Sequence, residues 1–134
     1  ASGNAMTEVS IGIIFDGHRV LVCRRSAGSH LAGMWEFPGG KIEPGEAADQ
    51  CVLREVREEI GVIVRVVRYL GPVEHDYGDR IVRLHPFVCV IESGRPQALA
   101  CDEVEWIDAD ELPQRPIPPP NHGILRRLQA ELKP

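Results

Sequence analysis

Apolar residues near the start of the chain alternate with smaller residues, which is the pattern of a β-strand. A short polar turn over residues 16–19 follows, and residues 20–23 form a second apolar run. This order of strand, turn and strand predicts a β-hairpin. The alternating positions are Val9, Ile11, Ile13 and Phe15.

Further along the chain, four more segments have strand character. Residues 35–40, 63–73, 81–92 and 104–107 are each rich in apolar or β-branched residues, and residues 76–79 between them read as a turn. Pro86 interrupts the longest run. Because proline lacks the N–H that a sheet interior needs, Pro86 predicts an edge strand or a bulge.

Two segments have helical spacing instead. Residues 47–60 follow a Pro-Gly turn and end at Gly61, where a residue with positive φ is favoured. Residues 122–132 carry apolar side chains at helical intervals and predict a docked C-terminal helix. Residues 108–112 predict a short helix or turn, and residues 113–120 hold five prolines and predict a stiff irregular segment. Several strands with two helices predict an α+β fold, and 134 residues predict one domain.

Composition narrows the class of protein. Hydrophobic residues make up 43% of the chain but are scattered, so no segment approaches the roughly 18 uninterrupted apolar residues of a membrane span. The polar start carries no secretory signal. The four cysteines have no C-x-x-C spacing and lie in or beside apolar runs, which predicts buried free thiols. The histidines have no zinc-ligand spacing. These features predict a cytoplasmic protein that does not contact membranes.

The formal net charge of −5 argues against binding to DNA or RNA polymers, which requires a broad basic surface. A small anionic substrate remains compatible, because it needs only local cations and a metal ion.

Three glutamates within residues 47–60 carry the candidate chemistry. Glu55, Glu58 and Glu59 stand at i, i+3 and i+4, so they lie on one side of a helix. Ala48 and Val52 share that angular sector, so the carboxylates are not on its most exposed face. Like charges placed in this way repel, and a divalent cation relieves the repulsion. An all-oxygen ligand set favours Mg²⁺, with Mn²⁺ as a substitute. Taken alone, Glu58 and Glu59 would be typical of a solvated acidic surface.

The fixed register around these glutamates favours the metal site over a solvated surface. Residues 40–62 match the pattern G-x5-E-x7-R-E-U-x-E-E-x-G-U, where U is a bulky apolar residue, at every specified position. The chain therefore resembles the Nudix hydrolases. The resemblance implies a mixed β-sheet sandwiched between α-helices and one Nudix domain over residues 6–134. Residues 1–5, which precede Met6, are predicted to be a cloning remnant. The matching residues are Gly40, Glu46, Arg54, Glu55, Val56, Glu58, Glu59, Gly61 and Val62.

Carried over to this chain, the resemblance implies that Glu55, Glu58 and Glu59 bind the metal and that the Gly39 carbonyl is a further ligand. Arg54 would orient the carboxylates through charge-assisted hydrogen bonds. Glu46 would support them or bind a second metal ion.

Residues 33–43 resemble the MutT branch of the family, whose members hydrolyse nucleoside triphosphates, including oxidised guanine nucleotides. The resemblance implies phosphate contacts from Arg25 and Lys41. Asn121 would read a purine edge, cap the last helix, or do both. Phe37 and Arg80 would flank the base, although a core position for Phe37 is the alternative. His30 is either a substrate-side residue or an exposed loop residue.

One position departs from the branch. An acidic residue usually stands six residues before the tryptophan that corresponds to Trp106, and here that position is Ala100. Asp102 or Glu103 could replace it, with Glu103 as a further metal ligand. Glu58 or Glu59 could instead act through a water.

These observations predict a Mg²⁺-dependent pyrophosphohydrolase that converts a nucleoside triphosphate, such as 8-oxo-dGTP, to the monophosphate and pyrophosphate. Alternative substrates are CTP or a modified pyrimidine nucleotide, a dinucleoside polyphosphate, and ADP-ribose or another nucleoside diphosphate linked to X. A nucleotide-binding module without hydrolytic activity is the alternative from another class of protein. The chain would act as a monomer or a homodimer.

Overall fold

The computed structural model describes residues 5–25, 33–117 and 121–132. Its elements, in chain order, are β1 (Ala5–Asp16), β2 (Arg19–Arg24), β3 (Trp35–Glu36), β4 (Gly39–Lys41), α1 (Ala48–Ile60), β5 (Ile63–Tyr69), β6 (Val73–Asp76), β7 (Arg80–Ser93), β8 (Glu103–Asp108), a 3-10 helix (Ala109–Gln114) and α2 (His122–Leu132). The predicted cloning remnant, His30 and the prolines at 118–120 lie wholly or largely outside the described residues.

Strand β1 is the centre of a mixed sheet. It pairs in parallel with β7 and antiparallel with β2 and β4. Strand β7 continues the sheet to β5 and β6, and β2 continues it to β3 and β8, all antiparallel. The α+β class and the mixed sheet are therefore confirmed.

One helix packs against each face of the sheet. On one face, Ile11 and Ile13 of β1 join a core cluster that includes Ile124 and Leu128 of α2. On the other, Ile14 joins a cluster with the buried side of α1. The helices therefore cover opposite faces, as the resemblance implied. The residues that α1 contributes are Val52, Val56 and Ile60.

The small residues that alternate with the apolar ones in β1 face helix α1. Ser10 is fully buried, and its hydroxyl donates to the carbonyl of Ala48 at 2.7 Å. A Cβ on Gly12 would lie 2.9 Å from Cγ2 of Val56, which is closer than van der Waals contact allows. The pattern that signalled a strand thus also lets the helix approach closely.

The predicted hairpin is confirmed, with Gly17 in the left-handed region at φ 63°. Two other predicted strands are divided. The segment 63–73 ends as β5 and restarts as β6, because Gly71 has φ 86° and Pro72 follows it. The segment 35–40 becomes β3 and β4, which pair with β2 and β1 respectively.

Pro86 does not lie on an edge strand, so that part of the prediction was wrong. Strand β7 has β1 on one side and β5 and β6 on the other. The Pro86 carbonyl accepts from the N–H of Leu70 at 2.9 Å, in the gap between β5 and β6. Because N and O of one strand residue face the same neighbour, the missing N–H of Pro86 faces that gap.

Helix α1 has the predicted extent. It ends at Gly61, which has φ 74° and whose N–H donates to the Arg57 carbonyl at 3.0 Å. Helix α2 also has the predicted bounds, and the 3-10 helix occupies the predicted short helix or turn. Cys23, Cys51 and Cys89 are buried free thiols, whereas Cys101 is half-buried. Within the described residues, no helix is long and apolar enough to cross a membrane.

Candidate active site

Arg54 donates hydrogen bonds to three glutamates of the sequence pattern. Its Nε and Nη2 donate to the two oxygens of Glu46 at 2.7 and 2.9 Å. Its Nη1 donates to Glu55 at 2.8 Å and to Glu58 at 3.3 Å. The Lys41 carbonyl accepts from Nη2 at 3.2 Å. One guanidinium therefore holds three carboxylates of the sequence pattern in fixed positions.

These ion pairs shift the acid–base properties of both partners. The hydrogen bond from Arg54, helped by the N–H of Glu43, lowers the pKa of Glu46 to about 2. The same hydrogen bond raises the pKa of Arg54, and Glu55 adds to that rise. Arg54 and Glu46 are thus both charged throughout the neutral range. We refer to Arg54 with Glu46, Glu55 and Glu58 as the Arg54 cluster.

Glu55 lies against the backbone of β4. A Cβ on Gly40 would collide with the Glu55 carboxylate. Only glycine leaves room for the carboxylate at this point, so the glycine that opens the sequence pattern has a steric reason.

Glu59 is separated from the Arg54 cluster. Its Oε2 accepts from the N–H of Gly39 at 2.7 Å, on the strand side of the helix. Burial raises the pKa of Glu59 to about 8; the Gly39 hydrogen bond opposes the shift, and the charges of Glu36 and Glu55 add to it. Glu59 thus has a neutral hydrogen-bond donor where Glu46 has Arg54, and the charge of Arg25 offsets the rise in its pKa only in part.

A pocket of about 220 Å³ opens beside Glu59. Arg25 and Glu36 form its other charged wall, and both oxygens of Glu36 accept from Nη1 of Arg25, at 2.8 and 2.9 Å. Burial raises the pKa of Glu36 even though Arg25 lowers it. The remaining lining residues are Cys23, Gly39, Ala100 and Cys101.

The rim of this pocket is tied to the end of α1. The N–H groups of Leu99 and Ala100 both donate to the Glu59 carbonyl, at 3.0 and 3.2 Å, and the N–H of Gln97 donates to the Ile60 carbonyl at 2.9 Å. On the other side, the N–H of Asp102 donates to the Arg24 carbonyl at 3.1 Å. Backbone hydrogen bonds therefore fix the segment that carries Ala100.

The donor set fits a hard divalent cation. Glu55, Glu58 and Glu59 supply carboxylate oxygens from one helix, and Gly39 lies at hydrogen-bonding distance from Glu59. Oxygen donors of this kind favour Mg²⁺ or Mn²⁺ over zinc. Glu59 bonds to Gly39, whereas Glu55 and Glu58 pair with Arg54. The predicted ligands therefore lie on adjoining surfaces of α1 and β4, but within the described residues the three carboxylates do not gather with all their ligand oxygens within 4.8 Å of one another.

The residues that were predicted to bind substrate lie farther apart than the predicted metal ligands. Arg25 lines the pocket with Glu59, and Lys41 is exposed at the end of β4. Asn121 is 5% exposed and directly precedes α2. Phe37 is 2% exposed within the core, which favours the packing alternative for its ring.

Arg80 lies away from the carboxylates. It pairs with Ala5 across β1 and β7, whereas Gly39 pairs with Ile11. Six strand residues separate the two points, which is roughly 20 Å at about 3.3 Å per residue. The guanidinium of Arg80 lies 5.0 Å from the ring centroid of Tyr77.

Ala100 does line the pocket, so the position that departs from the MutT branch faces the site. Of the two candidate replacements, Glu103 forms an ion pair with Arg24 at 3.4 Å, and Asp102 is exposed in the preceding bend. Neither is among the described residues that line the pocket. The other carboxylate among the described residues that line the pocket is Glu36, which was not predicted from the sequence. The signal was a charged residue between Trp35 and Phe37, both of which are buried.

A second group of metal-ligating side chains lies elsewhere. Nε2 of His18 is 3.3 Å from oxygens of both Asp108 and Asp110, on the exposed hairpin end of the sheet. Asp108 pairs with Arg19 at the opposite end of β2 from Arg24, so this group does not belong to the pocket.

Comparison with known proteins agrees with the geometry. The model of the NUDIX domain matches residues 6–128. The CTP pyrophosphohydrolase of Escherichia coli (strain K12) is 34% identical over 125 residues, which cover 93% of each chain. The 8-oxo-dGTP diphosphatase of the same strain is 31% identical over 91% of this chain and 95% of that protein.

Solved structures agree as well. The solution structure of the E. coli ORF135 protein superposes with a TM-score of 0.82 at 33% identity, over 95% of this chain and 91% of that one. A family model that spans almost the whole chain, full-length relatives and a shared fold all coincide with the complete carboxylate pattern on α1. The chain therefore belongs to the Nudix family of hydrolases, enzymes that use divalent metal ions.

Proposed function

We propose that this enzyme is a Mg²⁺-dependent pyrophosphohydrolase that cleaves a nucleoside triphosphate to the nucleoside monophosphate and pyrophosphate. The observation that carries the proposal is the division of carboxylates around α1. Glu55 and Glu58 are oriented by Arg54, whereas Glu59 lines a pocket beside Arg25. This arrangement supplies oxygen ligands for a cation and a guanidinium for phosphate in adjoining positions.

Each of these side chains has a distinct task. Glu55, Glu58 and Glu59, with the Gly39 carbonyl, hold the cation. Arg54 keeps Glu55 in place through the 2.8 Å hydrogen bond. When bound, a divalent cation neutralises phosphate charge and lowers the pKa of water.

The basic residues near the carboxylates bind the phosphate groups. Arg25 on the pocket wall contacts the phosphate chain, and Lys41, exposed at the end of β4, adds a second positive charge. Their charges stabilise negative charge that develops on the leaving pyrophosphate, which is the dominant catalytic contribution in phosphoryl transfer.

The substrate class rests on relatives of full length. Two proteins that are more than 30% identical carry the names CTP pyrophosphohydrolase and 8-oxo-dGTP diphosphatase. Both names denote hydrolysis of a nucleoside triphosphate, and they differ in the base. We therefore propose the triphosphate as the common requirement, with an oxidised guanine nucleotide and CTP as the two candidates for the preferred base.

A substrate panel tests the proposal. Purified enzyme with Mg²⁺ is offered CTP, 8-oxo-dGTP, dGTP, a dinucleoside polyphosphate and ADP-ribose, and release of monophosphate and pyrophosphate is measured. We expect turnover of at least one triphosphate, loss of turnover with a chelator, and recovery with Mg²⁺ or Mn²⁺. Turnover of ADP-ribose alone would contradict the proposed substrate class. Tight nucleotide binding without any product would identify a binding module.

Asn121 provides the sharper test of the base. If its amide reads a purine edge, Asn121→Ala lowers kcat/KM for 8-oxo-dGTP by a factor of about 10 to 100 and changes CTP much less. An equal loss for both nucleotides would assign Asn121 to packing or to capping of α2.

A further inference from the structure

The pocket beside Glu59 contains a second carboxylate that the Nudix pattern does not include. Glu36 lies on β3, opposite Cys23 of β2, and its side chain is 26% exposed. Its neighbours Trp35 and Phe37 are both buried in the core. Glu36 and Glu59 are the two carboxylates among the described residues that line this pocket, and Arg25 is the one guanidinium.

Stability gives little reason for a carboxylate at this position. Partly exposed ion pairs contribute little to folding, and removing a carboxylate from water opposes that gain. Burial indeed raises the pKa of Glu36 despite its partner Arg25. The place of Glu36 on the wall of a pocket that Glu59 also lines points instead to a role in binding.

The way Glu36 meets Arg25 differs from a comparable pair elsewhere in the chain. Arg115 binds Glu105 with two nitrogens, one for each oxygen, at 3.1 and 3.2 Å. In contrast, both oxygens of Glu36 accept from the single Nη1 of Arg25, at 2.8 and 2.9 Å. A single positive centre between two carboxylate oxygens is also the arrangement of a bidentate carboxylate on a cation.

Among the described residues that line the pocket, the others offer no side-chain charge that would compete. Ala100 contributes only a methyl group, and burial raises the pKa of the Cys23 and Cys101 thiols, which therefore remain uncharged. The volume of about 220 Å³ accommodates a cation with several of its water molecules.

From this geometry we infer that Glu36 binds a divalent cation together with Glu59 across the pocket, and that Arg25 competes with the cation for Glu36. This inference rests on the proposed function. It adds a ligand outside the Nudix pattern, and it makes cation and phosphate binding cooperative. A phosphate that draws Arg25 from Glu36 strengthens cation binding, and by linkage the cation strengthens phosphate binding.

Binding of Mn²⁺ alone, followed by electron paramagnetic resonance without nucleotide, tests the inference. We expect Glu36→Gln to weaken Mn²⁺ binding about 10-fold, as loss of a ligand or its support does. The matched control is Glu105→Gln, which makes the same change in a half-buried arginine–glutamate pair outside the pocket and should bind Mn²⁺ as the wild type does.

The competition predicts an effect of opposite sign at Arg25. Arg25→Gln should bind Mn²⁺ several-fold more tightly without nucleotide, because Glu36 no longer has a competing partner. The control Arg115→Gln should not change binding. The double variant Arg25→Gln with Glu36→Gln should lose the gain, since both substitutions act on one interaction.

Two results would overturn the inference: unchanged Mn²⁺ binding in both Glu36→Gln and Arg25→Gln, or weakened binding in Glu103→Gln but not in Glu36→Gln. Circular dichroism verifies folding, and Glu36→Asp, which retains the charge and should bind Mn²⁺ with intermediate affinity, serves if Glu36→Gln does not fold. The substrate panel remains a separate measurement. Normal triphosphate turnover with unchanged Mn²⁺ binding in the variants would remove Glu36 and leave the proposed function intact.

Discussion

The glutamates of the Nudix pattern, on α1 and just before it, balance their charge in two different ways. Glu46, Glu55 and Glu58 share Arg54, and the pKa of Glu46 falls to about 2. Glu59 has the N–H of Gly39 as its hydrogen-bond donor, and its pKa rises to about 8. Arg54 thus balances the charge of the first three glutamates. A cation from solution would have its largest effect on the charge of Glu59.

This contrast explains why four glutamates of one short pattern are not equivalent. An arginine that pairs with several carboxylates fixes their positions but also neutralises them. Glu59 is fixed by a neutral donor and keeps a proton at neutral pH because its pKa is raised, and a metal ion that binds there would replace this proton. We therefore expect the largest functional effect at Glu59 and effects of position at the Arg54 cluster.

The strongest test of the contrast is Glu59→Gln. We expect turnover of a nucleoside triphosphate to fall by a factor on the order of 10³ while the fold is retained, because glutamine keeps the shape and the acceptor for Gly39 but loses the charge. Steady-state kinetics with Mg²⁺ and circular dichroism measure both. Near-normal turnover would remove Glu59 from the metal site.

Arg54→Met tests the three glutamates that share Arg54. Glu46, Glu55 and Glu58 lose their shared donor and repel one another, so we expect kcat to fall by a factor of about 10 to 100. Arg57→Met, one turn along the same helix, removes an exposed arginine and is the matched control. Equal losses in the two variants would mean that Arg54 acts through surface charge and not through these hydrogen bonds.

Gly40→Ala tests the Arg54 cluster through a steric clash with Glu55. The new Cβ would collide with the Glu55 carboxylate, so either β4 or the glutamate must move. We expect a loss of activity of about 10-fold and a lower Tm, since displacements at a site of this kind cost about one to two orders of magnitude in rate. Unchanged activity and Tm would show that Glu55 can move without consequence.

The last comparison concerns the stability of the fold against pH, which changes with opposite signs at Glu59 and at Glu46. With a chelator present, Glu59 is protonated in the folded chain up to about pH 8, whereas the unfolded chain ionises near its ordinary value of 4.5. The folded state then binds more protons in this window, so its stability falls as pH rises from 4.5 towards 8. Thermal unfolding of Glu59→Gln should lack this decline, and an identical decline in the variant would assign it to other groups.

Glu46 supplies the opposite slope. Its pKa of about 2 lies below the ordinary 4.5, so its stabilising contribution is present above pH 4.5 and is lost as pH falls towards 2. Glu46→Gln should therefore flatten the acid side of the same unfolding series. A variant that keeps the wild-type acid slope would contradict the low pKa.

The helix that carries the site could be predicted closely from the sequence, because its glycines and carboxylates are set by local geometry. Gly61 ends α1 through its positive φ, and Glu55, Glu58 and Glu59 follow one another at helical spacing. Helix α2 followed equally well from apolar spacing. These features depend on residues a few positions apart, which a periodic pattern records directly.

Features that depend on distant strands could not be predicted in this way. Pro86 suggested an edge, yet it lies in an interior strand whose neighbour breaks at Gly71 and Pro72, a coincidence that no local pattern contains. Glu36 was overlooked for the same reason. It becomes a pocket residue only when β3 pairs with β2 and faces the end of α1.

The segment that carries Ala100 also constrains the catalytic helix, because its backbone is bonded to Glu59. Two of its backbone N–H groups donate to the carbonyl of the same residue whose side chain faces the pocket, Glu59. Ala100 on the rim of the pocket and Glu59 beside it are thus joined through one peptide unit. A single deletion at 99 or 100 would therefore disturb the position of the acid itself.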